Sequence, residues 1–111
     1  MMQVEHGVFD VLVQLNPNEI RILKHLVENV HYGNICYDRQ VDIVETTGIG
    51  PSHMSQYISR LRQLNVIRKY RRSLFMINPE YFFAGSLDEK PKLRAMYSKL
   101  DKVEVDDAEA N

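Results

Sequence analysis

The sequence predicts a mainly α-helical domain with a small β hairpin behind its third well-marked helix. Three observations carry that expectation. Pro51 to Leu64 places Met54, Tyr57, Ile58, Leu61 and Leu64 on one helical stripe and leaves the other face polar. The tight turn Gly48-Ile49-Gly50 joins this segment to a shorter apolar one before it. Directly after it, Val66–Tyr70 and Leu74–Ile77 read as two strands joined by Arg71-Arg72-Ser73.

The elements follow in order. Residues 7–15, GVFDVLVQL, lean toward a strand by the alternation and β-branching of Val8, Phe9, Val11, Val13 and Leu15, and a short amphipathic helix fits almost as well. Asn16-Pro17-Asn18-Glu19 is a helix start, with Pro at the first helical position and an acid facing the positive first turn. Ile20, Leu23, Leu26, Val27 and Val30 continue that helix to about residue 31, where Gly33 and Asn34 stop it. Ile35-Cys36-Tyr37 reads as one small strand, and Asp38 as the cap of a helix over roughly 39–47. Gly48 ends that helix; Gly50-Pro51 starts the next, and Asn65 ends it in a left-handed conformation. Asn78-Pro79-Glu80 is expected to open another helical turn carrying Tyr81, Phe82 and Phe83. Pro91 to Leu100 is a last amphipathic helix with Leu93, Met96, Tyr97 and Leu100 on one face.

The chain has 111 residues, enough for one domain over 1–100 followed by an acidic tail, 101–111, too poor in apolar bulk to order itself. No apolar run approaches the ~18 residues of a membrane span. The start, Met-Met-Gln-Val-Glu-His, lacks the marks of a secretion signal, and a single cysteine, Cys36, excludes an internal disulfide framework. A cytoplasmic protein is therefore expected. The net charge of −1 conceals strong segregation: residues 1–45 sum to −4, 46–79 to +6, 80–100 to +1 and 101–111 to −4. Residues 46–79 contain Arg60, Arg62, Arg68, Lys69, Arg71 and Arg72 and not one acid. Such a local cationic run is the footprint of a polyanion partner.

The order helix, short strand, helix, tight turn, helix, hairpin is that of a winged helix-turn-helix. Val44 is modest enough for two helices to cross on it, Gly48 supplies the turn, and Ile49, Met54 and Ile58 face back onto the first helix of the pair. In this geometry the start of the second helix is free to enter a major groove.

The segment from Asn18 to about Tyr97, roughly 80 of the 111 residues, resembles the RepL group of plasmid replication proteins. Three features carry the resemblance: the stretch DRQVDIVETTGIGPSHMSQYISRLRQLNVIRK, its direct descent into a very short wing, and the run FMINPEYFFAGS after the wing, above all Asn78-Pro79-Glu80-Tyr81-Phe82-Phe83-Ala84-Gly85. The resemblance implies a winged-helix fold and sequence-specific DNA binding linked to plasmid or phage replication and its control.

Helix geometry ranks the candidate DNA-binding residues. Ser52, His53 and Gln56 lie near the start of the recognition helix, where side chains reach base edges, and Gln can pair bidentately with adenine. Ser55 and Ser59 suit phosphate, as do Arg60 and Arg62; Arg71 and Arg72 at the hairpin tip suit phosphate or the minor groove. Alternation lets only one of Arg68 and Lys69 reach DNA, and Lys69 is the candidate. Tyr57 and the Tyr81–Phe83 aromatics read as core, as does Cys36. No histidine pair has metal-ligand spacing, and there is no glycine-rich phosphate loop, nucleophile motif or paired catalytic carboxylate, so no metal, no cofactor and no enzyme activity are expected.

The expected partners are thus double-stranded DNA and a second copy of the chain, since one winged helix reads only one short site and two-fold dimers read two half-sites. The dimer contact is expected from the helix 91–100, as part of a dimerisation segment 87–100, with Val8–Leu15 as the alternative. Two other roles stay open: a winged-helix transcriptional repressor or regulator, and a protein-interaction module in a replication or partition complex.

Overall fold

The structure, a computed structural model, describes residues 2–4, 7–31, 33–71 and 74–100. In chain order the elements are strand β1 (Met2–Val4), helices α1 (Val8–Leu12) and α2 (Pro17–Glu28), strands β2 (Val30–His31) and β3 (Ile35–Cys36), helices α3 (Gln40–Thr47) and α4 (Pro51–Gln63), strands β4 (Ile67–Arg71), β5 (Leu74–Ile77) and β6 (Phe82–Ala84), and helix α5 (Lys90–Ser98). The fold is mainly α with a small antiparallel sheet of order β2-β3-β5-β4 and a separate β1–β6 pair.

Local chemistry explains the helix boundaries. Asn16 caps α2 through a reciprocal box: Glu19 N–H donates to Asn16 Oδ1 at 2.8 Å, and Asn16 N–H donates to Glu19 Oε1 at 2.9 Å. At α3 the Arg39 N–H donates to Asp42 Oδ2 at 2.9 Å. Asp38 is not the cap the sequence suggested; its Oδ2 lies 2.8 Å from Nε2 of the buried His25 and ties the loop before α3 to α2. Gly48 ends α3 at φ 76°, a left-handed conformation that glycine reaches without a Cβ penalty, and the chain turns there into α4. Asn65 takes φ 59° after α4, as expected of a helix stop.

The sheet is the middle layer of a three-layer arrangement. Along β3 and β5, Cys36, Phe75 and Ile77 pack into one cluster with α1, α2, α3 and α4, whereas Ile35 and Met76 point the other way, into a second cluster with Phe83, Leu93 and Tyr97. This is the two-residue alternation of a strand with both faces covered. Burial at Cys36 also pushes its thiol pKa up, as befits an inert core thiol.

Four further expectations change. Residues 8–12 form a helix, not a strand: Val8 and Val11 are buried, while Phe9 stays exposed. The helix α2 ends at Glu28, and Val30–His31 pair with Ile35–Cys36 as a second small strand, with Gly33-Asn34 making their turn. The helical turn expected at Asn78 forms, with Tyr81 N–H and Phe82 N–H donating to Asn78 O at 3.1 and 3.2 Å, but Phe82 and Phe83 leave it as strand: Phe82–Ala84 pair with Met2–Val4. Finally, the last helix is not free to bind a second copy. Leu93 and Tyr97 are buried in the second cluster, with Met96 and Leu100 packed against it, so the stripe expected to bind a second copy covers the chain's own sheet. The tail 101–111, expected to be disordered, lies outside the described residues, as do Arg72 and Ser73 of the hairpin tip.

One residue holds the layers together. Asn34, fully buried at φ 62°, donates from Nδ2 to Ile77 O at 2.9 Å and to Phe82 O at 2.7 Å, and its Oδ1 accepts from Ala84 N–H at 2.8 Å. A single amide thereby joins the β2–β3 turn to β5 and β6. Asn78 acts similarly, donating to Asn65 O at 2.8 Å and accepting from Glu80 N–H at 2.9 Å.

Candidate nucleic-acid interface

The pair α3–α4 is built as the sequence required. Ile49, Met54 and Ile58 are buried, and Val44 packs against the same cluster from α3. Met54, Ile58 and Leu61 are the face α4 buries; opposite them Ser52, Ser55, Gln56 and Gln63 are exposed, and Ser59 is half-exposed. The helix starts at Gly50 with Pro51 in its first turn, has no acid in that turn and no side-chain cap. Its free N–H groups and the positive end of its dipole point outward next to an acid-free stripe.

The candidates fall into distinct settings. His53 is exposed and stacks on Tyr57, ring centroids 6.5 Å apart. Tyr57 is half-buried, and its hydroxyl accepts from Asn18 Nδ2 at 3.1 Å, so it fixes α4 to the start of α2. Ser55 Oγ donates to Pro51 O at 3.4 Å and lies 3.5 Å from Gln40 Nε2 of α3. Arg60 is exposed but leans to one side, where Nη2 donates to Gln14 O at 3.2 Å. Arg62 is half-buried on the other side of the helix.

On the hairpin, Arg68 and Lys69 part as alternation demands. Arg68 turns into the body of the protein, donating from Nη1 to Tyr97 O at 2.9 Å and from Nε to Asn65 Oδ1 at 3.2 Å. Lys69 is half-exposed, opposite Phe75 across the ladder. Arg71 is exposed at the end of β4, its guanidinium 5.3 Å from the Tyr70 ring centre, with the ladder shifting register between Lys69 and Arg71. Arg72, the other tip candidate, is among the residues not described. The structure therefore gathers Ser52, His53, Ser55, Gln56 and Ser59 on one outward surface of α4. Lys69 and Arg71 sit apart from them, on the hairpin.

Two further polar groups belong to this region. Arg21, exposed on α2, lines a shallow cleft with Gly48, Gly50, His53 and Tyr57. It lies in the acidic first third of the chain, so segment charge could not point to it. Gln63 is exposed on the same stripe as Gln56, seven residues on, and that helical spacing was the available signal. Among the described residues no group of three His, Cys, Asp or Glu side chains could hold a metal ion. No helix among them is long and apolar enough to cross a membrane.

No curated protein and no solved structure matches the chain. The family model described as Firmicute plasmid replication protein (RepL) matches residues 8–111. That match takes in α1 to α5, the helix pair with its outward polar stripe, the hairpin, and the Asn78–Gly85 run whose Asn78 and Phe83 are buried in the layers described above. A match over nearly the whole chain settles the resemblance first read from those motifs: this chain belongs to the RepL family of Firmicute plasmid replication proteins.

Proposed function

We propose that this plasmid replication protein binds double-stranded DNA sequence-specifically, as a winged helix-turn-helix, in replication initiation or its control. The observation that carries the reading is the outer face of α4: a polar, acid-free stripe directly opposite a fully buried apolar one, on the second helix of a tight helix pair. The helix α4 enters the major groove, with Ser52, His53 and Gln56 at base edges and Ser55 and Ser59 near the backbone. Arg60, Arg62, Lys69, Arg71 and Arg72 supply phosphate contacts from the flanks and the hairpin.

The protein acts as a homodimer on paired half-sites in this reading. Support comes from α1 and the residue that ends it: Phe9 is 72% and Val13 is 82% exposed one helical turn apart, an apolar pair with nothing over it among the described residues. The cytoplasm, where plasmid DNA resides, is its place of action.

Titrating fluorescently labelled duplex from the replication origin of the parent plasmid, over a series of salt concentrations, tests the core of the proposal. Binding should weaken linearly in log–log form as salt rises, because phosphate contacts release counterions. Origin duplex should bind more tightly than random duplex. Absence of binding at low salt would favour the protein-interaction role, and tight binding to a promoter with none at the origin would favour a transcriptional regulator.

A further inference from the structure

The stripe on α4 carries more information than a general polar face. At 3.6 residues per turn, Ser52, Gln56, Ser59 and Gln63 fall within an arc of about 60°. The cations of the region are all off that arc. Arg60 leans to one flank and holds Gln14 O at 3.2 Å; Arg62 is half-buried on the other flank; Arg68 is turned away to Tyr97 O at 2.9 Å. The stripe thus presents serine and glutamine and no arginine or lysine.

That composition discriminates between bases. Guanine shows two acceptors in the major groove, O6 and N7, and is read by a double donor, most often Arg or Lys. Adenine shows one donor and one acceptor, N6–H and N7, which a glutamine amide matches with its own oxygen and NH2. Both amides are available: Gln56 and Gln63 are exposed, and neither has a partner among the described residues. Seven residues of helix rise about 10.5 Å, which is about three base-pair steps at 3.4 Å each.

We propose that Gln56 and Gln63 read two adenines about three base-pair steps apart, so that the site selected by this protein has A·T pairs at both positions. The inference rests on the duplex-binding reading above and adds to it the base class and the spacing. It also makes Gln63, at the far end of the helix, a specificity residue. Docking is then along the groove: α4 lies lengthwise in it and does not enter by its first turn alone.

Site selection by the full-length chain from a pool of randomised duplexes tests it. The recovered motif should hold adenines at two positions about three steps apart. Gln56→Ala and Gln63→Ala should each lose preference at one position, a different one for each, by roughly 5- to 150-fold. Both substitutions place a better helix former on an exposed face, so folding is not at risk. Gln63→Arg should turn adenine preference at its position into guanine preference. A motif with guanine at both positions overturns the proposal, as does a Gln63→Ala profile identical to the parent's. Salt-dependent binding with no recovered motif overturns it while leaving duplex binding intact. No duplex binding by any form removes both.

Discussion

Arg68 reaches from strand β4 to the last turn of α5, where its guanidinium lies 4.7 Å from the centre of the Tyr97 ring and its Nη1 donates to Tyr97 O at 2.9 Å and Leu100 O at 3.4 Å. A cation on a cationic strand is thus a C-terminal helix cap: it adds a charged donor to Tyr97 O, which also accepts from Leu100 N–H at 3.1 Å, and complements the negative end of the helix dipole. Tyr97 completes the joint: its hydroxyl donates to Asn65, with Oδ1 at 3.0 Å and O at 3.2 Å.

Arg68→Ala should therefore destabilise the fold by about 1.5–3 kcal/mol, the range for hydrogen bonds made by a charged group, as read by urea denaturation. Its DNA affinity at temperatures well below the transition should match the parent's. A stable Arg68→Ala protein with weakened DNA binding would move Arg68 from the fold to the interface.

Burial pushes the Tyr97 hydroxyl pKa well above the ordinary tyrosine value of 10.0, the nearby Arg68 charge opposing this only in part. The folded state therefore holds this proton longer than the unfolded chain does. The stabilisation is complete below pH 10 and is lost progressively as pH rises beyond it. Alkaline titration followed at the tyrosinate absorbance should show one of the six tyrosines ionising only as the protein unfolds. Tyr97→Phe should remove that late step and flatten the alkaline decline in stability relative to the parent.

Asn34→Ala leaves Ile77 O, Phe82 O and Ala84 N–H without the amide that pairs them. It also places alanine at φ 62°, where only residues such as Asn and Gly sit comfortably. A loss of at least about 3 kcal/mol is expected, a large share of the roughly 5–15 kcal/mol that holds a typical domain. Asn34→Gly should recover the backbone part and not the hydrogen bonds. Thermal melts of the two variants would separate them, and equal melting points would show that the left-handed backbone costs nothing here.

At the hairpin, Arg71→Ala combined with Arg72→Ala should weaken binding to all duplexes by similar factors and lower the salt slope by up to about two counterions. A folded double mutant with an unchanged slope would remove the wing from the interface.

For assembly, Phe9→Ser with Val13→Ser should convert a dimer to a monomer in light scattering with little change in melting temperature, because both side chains are already exposed. Truncation after residue 86 should instead unfold the protein, since it uncovers Ile35, Met76 and Phe83. A double mutant that stays dimeric places the contact elsewhere on the surface.

The parts of this protein that its sequence determined are those written within a few residues of one another. Asn16 and Glu19 cap α2 across three positions; Met54, Ile58 and Leu61 recur at helical spacing; Gly48 and Asn65 supply the left-handed stops; the hairpin follows from two short strand-like runs, Val66–Tyr70 and Leu74–Ile77, around a basic turn. Hence the helix pair and the outward face of α4 were legible, and so was the family through the Asn78–Gly85 run. Tertiary structure alone decided what lies on the second face of the sheet. The run Leu74–Ile77 is apolar at every position, as a strand covered on both sides must be, but nothing local says that α5 is the cover. The same holds for side chains whose partners are distant in the chain: Asn34 with Ala84, Arg60 with Gln14, Arg68 with Tyr97. Charge counting assigns all arginines alike to a polyanion, because an arginine's role depends on which carbonyl or phosphate comes within about 3 Å of it, and only the folded chain brings the carbonyls there.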